Sequence, residues 1–395
     1  MKTLFINARI ILRSEIIQGS VLVENGKILT IREGDFGEHP ADWEIVDAEG
    51  QYLSPGFIDI HTHGAGGCDF MDGKDAIITA AKSHMRHGTT TLLPTTVAVS
   101  REDLLKCTDD FKAAQKEMKG GPHIPGLHLE GPYFSVEQKG AIDENFIRNP
   151  DPEEYKEVCE RAGDSILRWS IAPERPGALE MGDYLAQRGI LPTIGHSNAV
   201  YDEVRRAFYH GYTHVTHLYS GMSTITRKSG FRFPGVIESA YILEGLTVEI
   251  IADGCHLPIE LLKMIWRLKG TDKICLISDS MRYADVQVDN TVADGLGSRE
   301  GGQSVLIEDG VAKLMDRSAF AGSIATDDRL VRVMYHDAGI PLCECIGMMC
   351  RTPASIMGFR SKGSIEPGKD ADLVIFDEDI QIKRVFVSGQ ETYKA

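Results

Sequence analysis

Positive charge, paired cysteine motifs and long apolar runs are all scarce in this 395-residue chain. Its 42 Lys and Arg against 58 Asp and Glu leave a formal net charge of −16. That balance argues against a nucleic-acid footprint or an anionic membrane surface, both of which need a basic face. It also means that an anionic substrate has to be attracted by particular Arg or Lys residues. The eight cysteines include no C-x-x-C pair; Cys343 and Cys345, with Cys350 nearby, are the closest spacing. Buried thiols in a reducing compartment are therefore expected rather than disulfides or zinc ligands. No stretch approaches the roughly 20 apolar residues of a membrane span. The apolar start is broken at Asn7 and Arg9, too early for a signal-peptide core. The expectation is a cytoplasmic protein without nucleic-acid or membrane partners. An apolar content of 42% with 25% charged residues is that of an ordinary globular chain, and the length calls for one large barrel or two to three domains.

What is present is organised around residues 55–64, Pro-Gly-Phe-Ile-Asp-Ile-His-Thr-His-Gly. The apolar and β-branched residues read as a short buried strand, on which alternate side chains share a face, so His61 and His63 point the same way. Before it, short β-like pieces at 3–6, 20–23, 28–31 and 44–46 are separated by turn signals. After it, strands and helices alternate. Strands are expected at 57–62, 89–94, 124–130, 166–172, 191–195, 213–217, 246–251 and 273–278, with helices at 74–87, 101–118, 179–188, 202–210, 236–243 and 259–268. Ser100 to Asp103 resembles a capping box ahead of an apolar stripe at Leu104, Cys107, Phe111, Ala114 and Met118. Repeated units of this kind imply parallel strands with right-handed crossovers, and eight of them fit a closed (β/α)8 barrel. Residues 282–303 read as a long loop, Asp309-Gly310 as a hairpin turn, 326–338 and 342–349 as helices, and 371–376 and 384–387 as strands. Both β-rich ends are expected to pair into a small β-sandwich domain, residues 1–53 plus 359–395, flanking a barrel over residues 54–358.

Barrel enzymes carry their reactive groups at the C-terminal ends of the strands. Those positions hold His61, His63, Glu130, His196, His217 and Asp279, all metal-ligand or proton-transfer types. Singly, each could cap a turn or sit hydrogen-bonded in a core; as a set of six at equivalent places they point to a metal centre. His214, three before His217, is expected to face the other way and be structural. His84, His87, His123 and His210 fall in helices or loops without ligand-like partners. An ion on Glu130, His196 and His217 would keep an open position for water and lower its pKa, a second ion could use His61 and His63 and share Glu130, and Asp279 suits a general base. Such parts carry out metal-assisted hydrolysis of an amide or related C–N bond.

On these residues the chain resembles the amidohydrolase superfamily, and within it the N-acetylglucosamine-6-phosphate deacetylases. The matching segments are residues 55–64, the Gly-Leu-His-Leu-Glu-Gly-Pro at 126–132, Gly-His-Ser-Asn at 195–198, Thr-His-Leu-Tyr at 216–219, Ile-Ala-Asp-Gly-Cys-His at 251–256, Ala-Gly-Ser at 321–323 and the closing Ile-Glu-Pro-Gly-Lys-Asp-Ala-Asp-Leu at 365–373. The resemblance implies removal of acetate from an N-acetylamino-sugar phosphate. It implies one or two divalent ions, zinc first and iron or manganese as alternatives, with Asp279 activating water. It further implies substrate contacts from His256, Asp253, Ala141, Ile142, Ser220, Gly221, Ala321 and Gly322, and a homodimer in which Arg232 reaches phosphate in the neighbouring site. The chain departs from the family where Ser220-Gly221 replaces Asn-Ala, where Ile142 replaces a histidine, and in residues 280–285, where Arg282 reads as a surface residue rather than an anion contact. The alternatives are another amidohydrolase acting on a different N-acyl or cyclic amide, and an inactive binding relative. Many binuclear members carry a carboxylated lysine after strand four, whereas this chain has Ser170-Ile171-Ala172-Pro173-Glu174 there.

Overall fold

The computed structural model describes residues 2–296 and 303–395. Eight parallel strands form the barrel: β1 (Phe57–Thr62), β2 (Thr89–Thr96), β3 (Leu127–Glu130), β4 (Ile166–Ile171), β5 (Leu191–Ile194), β6 (His214–Val215), β7 (Thr247–Ile250) and β8 (Ile274–Leu276). Neighbours follow chain order from β1 to β8. The ring closes just beyond the ladders, where Asp279 N donates to the His61 carbonyl at 2.9 Å and His63 N to the Ser280 carbonyl at 2.8 Å. Every residue of β1 and β2 is buried, as strands between a packed interior and a helical coat must be.

That coat is α1 (Lys74–Arg86), α2 (Arg101–Glu117), α3 (Pro152–Ala162), α4 (Ala178–Gln187), α5 (Tyr201–Tyr209), α6 (Val236–Ile242), α7 (Ile259–Lys269) and α8 (Asp327–Arg332). The cap of α2 forms as its sequence signals, with Ser100 Oγ accepting from Asp103 N at 3.1 Å and Leu104, Cys107, Phe111 and Ala114 turned inward. Helix α3 is additional to the sequence expectations, although its start signal is present. Pro152 occupies the first turn and Asp151 Oδ1 accepts from Glu153 N at 2.9 Å.

Strands from both termini make a second, eight-stranded sheet. Its order runs Gln390–Lys394, Ile382–Val387, Leu373–Phe376, Tyr52–Pro55, Lys2–Ile11, Ile16–Glu24 and Lys27–Glu33, with Glu44–Asp47 alongside Lys2–Ile11. Phe5, Val21, Leu53, Leu373 and Phe386 are buried together in its core. A third sheet of Thr291–Leu296, Gln303–Glu308 and Val311–Leu314 corrects the long loop expected over 282–303, which contains a strand; residues 297–302 lie outside the described residues. Asp309 (φ 56) and Gly310 (φ 75) take the left-handed turn that the hairpin signal requires.

His87, at the end of α1, ties this framework to the segment after β8. Its Nε2 lies 3.0 Å from Asp285 Oδ1 and its Nδ1 3.1 Å from Asp328 Oδ1 of α8, a structural ion pair outside both candidate ligand groups. Burial favours the neutral ring, but the two carboxylates outweigh it and push His87 up to about 9. A folded value above the ordinary one gives stability that is complete below about pH 6.5 and fades as pH rises through about 9. His87→Gln is expected to lose on the order of 1–2 kcal/mol in denaturant unfolding at pH 6. The gap should shrink at pH 10, and a gap independent of pH would refute the clamp.

Candidate metal and active site

Six of the sequence-derived residues converge at the C-terminal mouth of the barrel. Their ligand atoms fall into two groups, Glu130, His196 and His217, and His61, His63 and Asp279, each with its atoms within 4.8 Å of one another. Glu130 joins the groups. One oxygen, Oε1, is 2.9 Å from His217 Nε2, 3.3 Å from His196 Nε2 and 3.5 Å from His61 Nε2, while Oε2 is 3.2 Å from His63 Nε2. Asp279 Oδ1 is 3.3 Å from His61 Nε2 and 3.2 Å from His63 Nε2.

Strand parity alone does not produce this convergence. His196 (φ 44), His217 (φ 27) and Asp279 (φ 46) all adopt left-handed backbone conformations, which cost a non-glycine residue about 1–3 kcal/mol. The turn at His217 is why His214, three residues earlier, also faces the barrel interior: its Nε2 is 3.2 Å from Glu249 Oε1 and its Nδ1 2.7 Å from Thr247 Oγ1. The expectation that His214 points away is thereby corrected, while its place outside both ligand groups is as expected.

The donor chemistry fits a divalent cation. His61 Nε2 is buried and has no hydrogen-bond partner among the described residues, although two carboxylates stand beyond it. Burial alone would raise Glu130, but His61, then His196 and His217, hold its carboxyl well below the usual range. Burial would likewise lower His61, yet Glu130, Asp279 and Glu249 push it up to about 9. Protons on the imidazoles and a bound cation are thus alternative ways to balance two buried carboxylates, so an ion held here would expel protons.

Above the groups lies a cavity of about 580 Å³. His63, Glu130, His196, His217 and Asp279 line its floor, and of the expected substrate contacts Ala141, Ile142, Ser220, Gly221, His256, Ala321 and Gly322 line its wall. Asp253 stands behind the wall: its Oδ2 is 2.8 Å from His256 Nδ1, and its Oδ1 accepts from the backbone N–H groups of Cys255 and His256. Arg232 lies on an exposed hairpin, Thr226–Lys228 and Phe231–Phe233, away from this chain's own cavity. Arg282 is buried rather than at the surface, with Nη1 donating to Asp72 Oδ2 at 2.8 Å.

Sequence reasoning missed Glu249 on β7 and Arg168 on β4, a buried ion pair beneath the ligands. A signal for them exists, since both are lone charges inside short apolar strands, where an unpaired charge is not tolerated.

The amidohydrolase family model matches residues 52–392. The chain is 32% identical over 381 residues to the N-acetylglucosamine-6-phosphate deacetylase of Lysinibacillus sphaericus, covering 94% of this chain and 93% of that one. The crystal structure of N-acetylglucosamine-6-phosphate deacetylase from Pasteurella multocida superposes with a TM-score of 0.90 at 28% identity, over all of both chains. A mutant of the Mycobacterium smegmatis N-acetyl-D-glucosamine-6-phosphate deacetylase, in complex with N-acetyl-D-glucosamine-6-phosphate, superposes with a TM-score of 0.88, also at 28% identity and over all of both chains.

Gly221 makes the geometry testable. A Cβ there would lie 2.6 Å from His196 Nδ1 and 2.9 Å from the Gln138 carbonyl that this nitrogen faces, on a backbone with φ +56. Gly221→Ala is expected to displace the His196 ring and weaken divalent-ion binding about tenfold or more in a chelator competition. Unchanged affinity would contradict the arrangement.

Proposed function

The chain belongs to the amidohydrolase family, and from that premise we propose that it hydrolyses N-acetylglucosamine 6-phosphate to glucosamine 6-phosphate and acetate. The observation that carries this reading is the sharing of Glu130 between two imidazole groups beside Asp279, at the floor of a cavity of sugar-phosphate size. Glu130, His196 and His217 would hold one divalent ion and His61, His63 and Asp279 a second, with zinc the metal we favour for a nitrogen-rich donor set. When bound, such an ion polarises the acetamide carbonyl and acidifies water.

The protein's own groups do the rest. Asp279 is held ionised: burial opposes this, but His61 and His63 lower its pKa. An ionised carboxylate on the cavity floor is a base that can take the proton of the attacking water and return it to the departing amine nitrogen. His256, steadied through Nδ1 by Asp253, presents its other ring nitrogen to the substrate. Ala141, Ile142, Ser220, Gly221, Ala321 and Gly322 shape the wall against which the sugar ring rests.

Phosphate recognition falls to Arg232 of a second copy in a homodimer. Phe231 and Phe233 are exposed on either side of it, as residues awaiting a partner surface would be. The eight unpaired thiols suit a reducing cytoplasm. Among the described residues no helix is long and apolar enough to cross a membrane.

A panel of phosphorylated and free N-acetylhexosamines, gluco and galacto, assayed for acetate release, tests the proposal. Turnover should be greatest with N-acetylglucosamine 6-phosphate and should vanish on metal removal. Asp279→Asn should lower kcat by roughly 10²–10⁴. No turnover of any phosphorylated N-acetylhexosamine with metal present would sink it. Arg232→Ala should raise KM for the phosphorylated sugar about tenfold or more, with little change in kcat.

A further inference from the structure

The two ligand groups are supported differently. In the Glu130 group both imidazoles are aimed by backbone: His196 Nδ1 is 2.8 Å from the Gln138 carbonyl and His217 Nδ1 3.1 Å from the Ser220 carbonyl. In the Asp279 group, His61 Nδ1 meets a side chain, Glu249 Oε2, at 3.1 Å, and His63 Nδ1 has no hydrogen-bond partner among the described residues. Glu249 is fully buried and fully used. Its Oε1 pairs with Arg168 Nη1 and lies 3.2 Å from His214 Nε2, and its Oε2 also accepts from His217 N at 3.2 Å.

We propose that Glu249, held by Arg168, is a positioning residue for one ion position only. It accepts the Nδ1 proton of His61 and so aims the bare Nε2 at Asp279 and Glu130, making the His61–His63–Asp279 position bind an ion. In the Glu130–His196–His217 position both remote ring nitrogens stand on backbone carbonyls, and Glu249 reaches it only at the His217 backbone N–H, so neither ring takes its angle from Glu249. The two positions are therefore unequal, and the second depends on a carboxylate that touches neither ion nor substrate. The physical reason is that a histidine ligand needs its remote nitrogen engaged to fix tautomer and ring angle, and such partners are worth 10- to 100-fold in affinity. A backbone carbonyl and a side-chain carboxylate can both serve, but only the second can be removed by substitution. This inference rests on the ligand assignment proposed above.

Chelator-competition titration with zinc tests it, on apo-protein whose folding is checked by circular dichroism. Removing Glu249 alone would strand the Arg168 charge, so Arg168→Met serves as the parent background. Wild type should show two classes of site with unequal affinity. Arg168→Met with Glu249→Leu should lose about tenfold or more at the weaker class and change the tighter class less than about threefold. Arg168→Met with Glu249→Gln keeps an acceptor for His61 and should restore most of the loss. The inference is overturned if both classes weaken together, if the weaker class does not move, if Gln rescues nothing, or if wild type binds a single ion. Wild type that binds no ion would overturn the ligand assignment itself, a result distinguishable from all of these.

Discussion

Two carboxylates, Glu130 and Asp279, stand 3.2 Å from the same His63 nitrogen in a buried floor. Two anions in such surroundings repel each other strongly unless cationic charge lies between them. Everything around them serves to keep them there. The backbone of Asp279 is stitched to β1 through the His61 carbonyl, so the bond that closes the barrel also fixes the second carboxylate opposite the first. Whatever balances the pair, imidazole protons or a divalent ion, has its place prepared by a fold that leaves the anions no room to separate. A carboxylate kept ionised in this way can accept a proton during a reaction without giving up its position.

Beneath this floor the barrel interior is polar rather than apolar. Arg168, Glu249, His214 and the hydroxyls of Ser170, Thr193 and Thr216 bond to one another across β4 to β7. An apolar filling would pack as well, but it would offer nothing to hold an imidazole at a chosen angle. A hydrogen-bonded polar layer has direction, and here it hands that direction upward through Glu249 to the His61 ring, with a further bond to the His217 backbone N–H.

The barrel was legible because its signals are local and repeated: apolar strand, polar turn, amphipathic helix. Glu130, His196, His217 and Asp279 were legible because the C-terminal ends of strands form a small set of positions. What escaped the sequence depends on relations between distant segments. His87 looks like an ordinary helix end until Asp285 and Asp328 arrive from the far side of the chain. Parity placed His214 wrongly because it assumes an extended backbone, and His217 has left that conformation. Arg282 reads as a surface residue because neighbouring sequence carries no hint of Asp72 folding back over it.

The fate of Arg282 bears on how an anionic substrate is met by a chain with a net charge of −16. A guanidinium engaged by Asp72, with Asp69 3.7 Å away, has little field left for a phosphate. Among the described residues that line the cavity, Lys106 is the one Lys or Arg, and Asp110 stands 3.2 Å from its ammonium. Ile142, on the same wall, brings no charge. Among the described residues, the cavity thus sets buried carboxylates at its floor and offers a phosphate only Lys106, which is already engaged. Among the described residues this leaves the phosphate of the proposed substrate without an unengaged Lys or Arg in the cavity lining. Exposed Arg232, on a hairpin outside the lining of its own cavity, is the cation that the proposed dimer would bring to it.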